Sequence, residues 1–125
     1  MVIWSHYQQQ LLDCDEQSIG CYGGSFETAF KSIIESQGIV PEDEYPYQEN
    51  SQTCLLNDQM TVAAQINSYE VVTDNDEQQL LQLVAQQPIS VSIAVGDEFI
   101  KYTRGVYSGT CGYSHNHAVI LLVMG

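Results

Sequence analysis

The sequence predicts an α+β fold, and three observations support this prediction. Two segments, residues 23–38 and 76–87, carry apolar residues at helical spacing next to capping and stop residues. Two others, residues 89–95 and 117–125, are rich in β-branched residues and are typical of strands. The chain has 125 residues, 44% of them hydrophobic, which is enough for the packed core of a modest domain. We therefore expect a globular chain that combines helices and strands.

The first predicted helix lies in GGSFETAFKSIIESQG, residues 23–38. Ser25 can cap its N-terminus, and Glu27 complements the positive end of the helix dipole. Gly38 supplies the C-terminal stop. The apolar face of this helix consists of Phe26, Ala29, Phe30, Ile33 and Ile34.

Residues 39–54 are predicted to form an ordered surface loop, because they contain two prolines and several turn-forming residues. We expect Tyr45 and Tyr47 to point inward from this loop, which ends at Cys54. The next segment, VAAQINSYEVV at residues 62–72, has the β-branched residues and rough alternation of a strand.

The second predicted helix follows a turn and lies in DEQQLLQLVAQQ. Acidic residues occupy its first turn, an apolar face contains Leu80, Leu81 and Val84, and Pro88 prevents continuation. The strand ISVSIAV comes next, with apolar residues on one face and small ones on the other. A short helical turn and a glycine-rich loop then lead to HAVILLVMG, which we predict to be a mostly buried final strand.

The charge and cysteine content limit the possible partners and compartments. Three Lys and Arg residues against sixteen Asp and Glu give a net charge of -13, which disfavours nucleic acids and anionic membrane surfaces as partners. No apolar run approaches the ~20 residues of a membrane span, and the opening MVIWSHY lacks the features of a signal peptide, so we expect no targeting signal. Four irregularly spaced cysteines favour an oxidising compartment.

The segment CGYSHNHAV contains the residues best suited to chemistry. A histidine at the head of a strand, such as His117, is more often structural than catalytic when it is considered alone. A second interpretation is a metal module, because Cys111, His115 and His117 have a spacing that could supply three ligands. The pattern alone leaves these alternatives open.

Four ordered blocks of the sequence carry a resemblance to a known family. They are LLDC followed by GCYGG, EYPY, QPISV, and GVYSGTCGYSHNHAV. In the same order, they resemble the LLDC and GCxGG block, the YPY loop, the QPVSV strand and the segment of the catalytic histidine in papain-like cysteine peptidases. Four blocks in order are far more specific than any single one, and they cover almost the whole chain.

The resemblance implies a partial papain-like fold and a cysteine-type endopeptidase activity on peptide or protein substrates. Residues 1–65 would be a remnant of the helical left domain, and residues 66–125 most of the antiparallel β-rich right domain. No cofactor or metal is implied. Members of the family are secreted, vacuolar or lysosomal, which is the localisation we expect.

The resemblance also assigns roles to individual residues. It makes His117 the catalytic histidine, which would hold a cysteine as thiolate and protonate the leaving amine. The substrate-binding residues would be Gly23, Gly24, Ser92, Asn116 and Ala118. A disulfide would join Cys14 and Cys54. Cys21 and Cys111 would then be free thiols.

Two family segments have no counterpart in the sequence. The nucleophile segment, of the type C-G-S-C-W, would precede the LLDC block, and the Asn and N-S-W-G segment would follow the histidine. We therefore expect a truncated form that is inactive alone and could associate with the missing segments. The alternative is a non-catalytic peptide-binding or regulatory relative. In either case we expect no hydrolysis of peptide bonds by the chain alone.

Overall fold

A computed structural model of the chain describes residues 7–123. The chain forms two compact units, Met1–Glu70 and Val71–Gly125. Helices and an antiparallel pair of strands are both present, so the predicted α+β class is confirmed. The opening residues and the last two residues of the predicted final strand lie outside the described part. Among the described residues, no helix combines the length and the apolar character needed to cross a membrane.

The first unit begins with α1, Gln8–Cys14, a helix that the sequence did not predict. Its three consecutive glutamines differ in environment, since Gln8 is exposed while Gln9 and Gln10 are 1% and 2% exposed. Gln10 is buried because its amide replaces backbone partners: Nε2 donates to the Gly38 carbonyl at 2.9 Å, and Oε1 accepts from the Val40 amide at 2.8 Å. These bonds attach α1 to the turn that follows the next helix.

Helix α2, Phe26–Glu35, confirms the first predicted helix. The Ser25 side chain accepts a hydrogen bond from the Thr28 amide at 3.2 Å, and the Thr28 hydroxyl faces the Ser25 amide, which completes a capping box. The predicted role of Gly38 needs correction. The left-handed residue at the helix end is Gln37, with φ of 60°, and the Gly38 amide donates to the Ile33 carbonyl at 2.9 Å.

Residues 62–72 do not form the predicted strand. This segment makes a single antiparallel bridge, in which Ile39 and Ala64 are partners. The Ile39 amide donates to the Ala64 carbonyl at 2.9 Å, and the Ala63 amide donates to the Ile39 carbonyl at 2.8 Å. The prediction was wrong because β-branched residues favour extended backbone, whereas a strand also needs a partner along its length.

The loop of residues 39–54 matches the prediction in part. Tyr45 is 5% exposed and belongs to the core of the first unit, whereas Tyr47 is 43% exposed. The inward orientation predicted for Tyr47 was therefore wrong. A disulfide joins Cys14 at the end of α1 to Cys54, with Cα atoms 4.9 Å apart, and this predicted bridge is confirmed.

The second unit begins with α3, Glu77–Val84, which confirms the second predicted helix. The Asp76 side chain caps it by accepting from the Gln79 amide at 2.8 Å. Val84 is buried, but Leu81 is 66% exposed, so this residue is not on the packed face as predicted. The short helix α4, Asp97–Ile100, confirms the predicted helical turn.

Strands β1, Ile89–Ile93, and β2, His117–Leu121, form a two-stranded antiparallel sheet. The alternation predicted for β1 is confirmed, since Ser90 and Ser92 are exposed between partly buried apolar residues. The prediction of a mostly buried final strand was wrong. Ile120 in β2 is 64% exposed and Leu122, just beyond the strand, is 59% exposed. A strand in a two-stranded sheet has few elements to cover its faces, whatever its composition.

Candidate active site

His117 is the first residue of β2 and lies opposite Ile93 of β1. Its side chain is exposed. Within residues 7–123, the imidazole makes no hydrogen bond to another side chain or to the backbone. Both ring nitrogens are therefore open to a reacting group, which is what a general acid and base requires.

Asn116, directly before His117, extends the sheet by one step through its side chain. Its Nδ2 donates to the Val95 carbonyl at 3.0 Å, and its Oδ1 accepts from the Val95 amide at 2.8 Å. The Asn116 backbone amide also donates to the Ile93 carbonyl at 3.0 Å. The amide group thus reproduces a backbone pair of an antiparallel ladder. These three hydrogen bonds fix the backbone of Asn116, directly before His117.

We expect Asn116→Ala to lower the free energy of unfolding by about 1 to 2 kcal/mol, because two hydrogen bonds to Val95 are lost. Urea unfolding measures this change, and amide hydrogen exchange should accelerate at Val95 in particular. Asn67→Ala is the control, since Asn67 is exposed and makes no side-chain hydrogen bond within the described residues. An unchanged exchange rate at Val95 would contradict the assignment.

Ser92 and Ala118 are direct partners across the sheet. Residues opposite each other in an antiparallel pair share a face, so these two small, exposed side chains lie next to each other. Side chains alternate along a strand, and His117 therefore belongs to the other face, with Ile93. Ser92 and Ala118, both predicted to bind substrate, are therefore adjacent, and His117, directly before Ala118, lies on the opposite face of the sheet.

Gly23 and Gly24 lie in the first unit, after a single 3-10 turn at Gly20–Tyr22. The φ of Gly23 is +133°, a conformation that side chains rarely adopt, and a Cβ on Gly24 would lie 2.9 Å from the Ser18 Cβ. Both glycines are exposed and border an open depression of about 480 Å³. Local backbone geometry alone accounts for the glycines, and their exposure leaves the backbone accessible to an extended peptide.

The four cysteines divide into a bridged pair and two thiols. Cys21 and Cys111 are free, as the resemblance implied, and both are exposed. The Cys111 thiol is 3.9 Å from the Gly109 carbonyl oxygen. Among residues 7–123, no three His, Cys, Asp or Glu side chains are grouped in a way that could hold a metal ion, so the alternative of a metal module has no structural support.

The loop between α4 and Cys111 is organised by three aromatic rings that the sequence reasoning did not identify. Phe99 stacks on Tyr102 at 5.9 Å and meets the edge of Tyr107 at 5.1 Å. Desolvation raises the pKa of the Tyr107 hydroxyl, and Glu98 and Cys111 raise it further. The presence of three aromatic residues within nine positions, 99–107, was the available sequence signal of such a cluster.

Sequence comparison defines the family of the chain. The profile described as "Papain family cysteine protease" matches residues 3–125. The chain belongs to the papain family of cysteine proteases. Among curated relatives in this family, vignain of Ricinus communis is 41% identical over 120 residues, which are 94% of this chain and 33% of vignain. Falcipain-2a of Plasmodium falciparum is 38% identical over 118 residues, or 94% of this chain and 24% of falcipain-2a.

Solved structures of papain-family proteases share the fold. The bromelain protease of Ananas comosus, solved with an inhibitor, superposes with a TM-score of 0.82 and 38% identity, covering 90% of this chain and 51% of bromelain. The ragweed pollen cysteine protease Amb a 11, in its proform, gives a TM-score of 0.86 and 36% identity, covering 98% of this chain and 37% of Amb a 11. The chain thus spans about a third of the length of vignain and about half that of bromelain.

Proposed function

We propose that the chain supplies the general acid and base histidine, together with part of the peptide-binding surface, of a papain-type cysteine endopeptidase. The observation that carries this proposal is the exposed His117 at the start of β2, with its backbone fixed by the Asn116 side chain. Membership of the papain family supports the same chemistry.

In this proposal, the His117 imidazole takes the proton of a cysteine thiol, and the cysteine stays a thiolate beside the imidazolium. The imidazolium then donates its proton to the leaving amine of the cleaved peptide bond. The resemblance implies a nucleophilic thiol in a segment that would precede the LLDC block, and we propose that such a segment supplies the thiol. Asn116, predicted to bind substrate, acts in this proposal through the backbone of His117.

Each of the two units offers small residues that would contact a peptide. Ser92 and Ala118 leave space above one face of the sheet for an apolar side chain of the substrate. Gly23 and Gly24 offer exposed backbone to an extended chain. We further propose that the protein folds in an oxidising compartment, which the Cys14 to Cys54 disulfide supports. A relative that is 42% identical is named as a KDEL-tailed cysteine endopeptidase of Arabidopsis thaliana. A KDEL tail is a retention signal of the endoplasmic reticulum, so this relative supports the proposed passage through that compartment.

The binding surface can be tested by NMR titration of the chain with a peptide that carries an apolar residue. We expect shift changes at the Ser92 and Ala118 amides. Ser92→Glu should raise Kd by at least about tenfold, or about 1.4 kcal/mol, because a charged side chain fills the space beside Ala118. Ser90→Glu is the matched control, since Ser90 is exposed on the same face and lies opposite Ile120. Equal effects of the two substitutions, or no shift changes at Ser92 and Ala118, would contradict the proposed surface.

A further inference from the structure

In the irregular segment of residues 48–55, residues 48–52 are hydrogen-bonded to α1, and Leu55 is bonded to Tyr45. Gln9 is almost fully buried, and its side-chain amide makes the two backbone hydrogen bonds that a neighbouring strand would otherwise make. Its Nε2 donates to the Asn50 carbonyl at 2.8 Å, and its Oε1 accepts from the Gln48 amide at 2.8 Å. Buried polar groups need such partners, and here one side chain satisfies two backbone groups of the segment.

The Asp13 carboxylate continues this network toward the disulfide. Its Oδ1 accepts from the Gln52 amide at 2.7 Å, and its Oδ2 accepts from the Tyr45 hydroxyl at 3.0 Å. The Tyr45 oxygen in turn accepts from the Leu55 amide at 2.9 Å and lies 3.8 Å from the Cys14 sulfur. Burial raises the pKa of Tyr45, the Leu55 bond lowers it, and Asp13 raises it, so that the hydroxyl keeps its proton for Asp13 near neutral pH.

The two cysteines stand directly beside members of this network. Asp13 precedes Cys14 in α1, and Leu55 follows Cys54. Hydrogen bonds at the Gln52 and Leu55 amides therefore hold the segment on both sides of Cys54, and neither bond involves a sulfur atom. Without such bonds, a loop of 40 residues would bring its ends together in only a small fraction of its conformers.

We propose that α1 is a template for the disulfide: Gln9 and Asp13 hold residues 48–55 in place while Cys14 and Cys54 are still thiols. The disulfide then locks a conformation that already exists. The consequence is a reversible redox element, in which reduction leaves the segment attached to α1 and reoxidation restores the same bridge. This role is independent of the proposed peptidase function.

The oxidant is a small-molecule disulfide such as oxidised glutathione. The exposed Cys54, as thiolate, attacks one sulfur of this oxidant, forms a mixed disulfide and releases one glutathione thiolate. Cys14, as thiolate, then attacks the Cys54 sulfur and releases the second glutathione thiolate. Two protein thiols are oxidised to the bridge, and one small disulfide is reduced to two thiolates, which take up through solvent the two protons that the protein thiols lost.

Amide hydrogen exchange on the reduced chain tests the template directly. We expect the amides of Gln48, Gln52 and Leu55 to stay protected after reduction, with the Ile39 amide as an internal reference for the folded unit. Loss of protection at these three amides while Ile39 stays protected would overturn the proposal. Loss of protection throughout the unit on reduction would also overturn it, because the disulfide would then create the conformation.

A redox titration with reduced and oxidised glutathione gives a second measurement. Mass spectrometry of unreduced digests follows the Cys14 to Cys54 bridge separately from Cys21 and Cys111. We expect Gln9→Leu to lower the equilibrium constant for bridge formation by at least about tenfold, since two backbone groups lose their partner. The matched control Gln8→Leu changes an exposed neighbour in the same helix and should have less than about a twofold effect. Equal effects of the two variants would overturn the template.

Discussion

We expect a hybrid of this chain and bromelain to hydrolyse peptides, and the 125-residue chain alone to hydrolyse none. In the hybrid, the superposed part of this chain replaces the corresponding 51% of bromelain, and bromelain supplies the rest. The expected difference is several orders of magnitude in kcat/KM, because acyl transfer needs a thiolate as well as a histidine. A fluorogenic peptide assay measures both proteins.

In the same hybrid, His117→Ala should lower kcat/KM by about a thousandfold or more. His115→Ala is the matched control, since His115 is an exposed histidine two residues away. A thermal transition and an intact Cys14 to Cys54 bridge establish that each variant is folded. A folded hybrid that binds peptide without turnover would refute the catalytic role and favour a peptide-binding relative. Turnover by the chain alone, abolished by His117→Ala, would refute the need for an external thiol.

The second large effect is expected for Gly38→Ala, which should lower the free energy of unfolding by about 3 to 5 kcal/mol. A Cβ at this position would lie 2.4 Å from Val62 Cγ1 and 2.7 Å from the Ala64 carbonyl oxygen. The φ of +139° adds conformational strain. The Val62 side chain can rotate, but the Ala64 oxygen is backbone and cannot move without breaking its bond to Ile39.

Substitutions at two other glycines separate the effect of the close contacts from the effect of the positive φ. Urea unfolding measures the free energy of unfolding of each variant. Gly23→Ala imposes a positive φ with no atom within 4 Å of the new Cβ, so only strain is expected, at about 1 kcal/mol. Gly96→Ala has free space and a φ of -116°, so we expect a change within about 0.5 kcal/mol. If Gly38→Ala costs no more than Gly23→Ala, the close approach of residues 62–64 is not a significant constraint.

Helices α2 and α3 and strand β1 were predictable because their signals are local, whereas α1 was not predicted. Ser25 and Thr28 cap α2 within one turn, and Asp76 caps α3 in the same way. What sequence patterns could not reveal depends on distant partners. Gln9 and Gln10 are polar residues that are buried because their amides bond to residues 28 to 41 positions away. Residues 62–72 have strand-forming composition but only one bridging partner.

Within the candidate site, the residues were predicted by family resemblance, while their mutual arrangement required the structure. His117 and Asn116 are neighbours in sequence, but the bonds from Asn116 to Val95 span 21 positions and follow no sequence pattern. The disulfide between Cys14 and Cys54 was likewise predicted by resemblance and is confirmed. Spacing alone could not select this pairing among four cysteines.

The register of β1 and β2 has a consequence for the evolution of such proteins. His117 and Ala118 are adjacent in the sequence, but their side chains lie on opposite faces of the sheet. Selection can therefore vary Ala118 and its partner Ser92 while His117 stays constant. Under the proposed function, a gene duplicate would change its peptide preference through these two positions, or lose the histidine and keep the proposed binding surface.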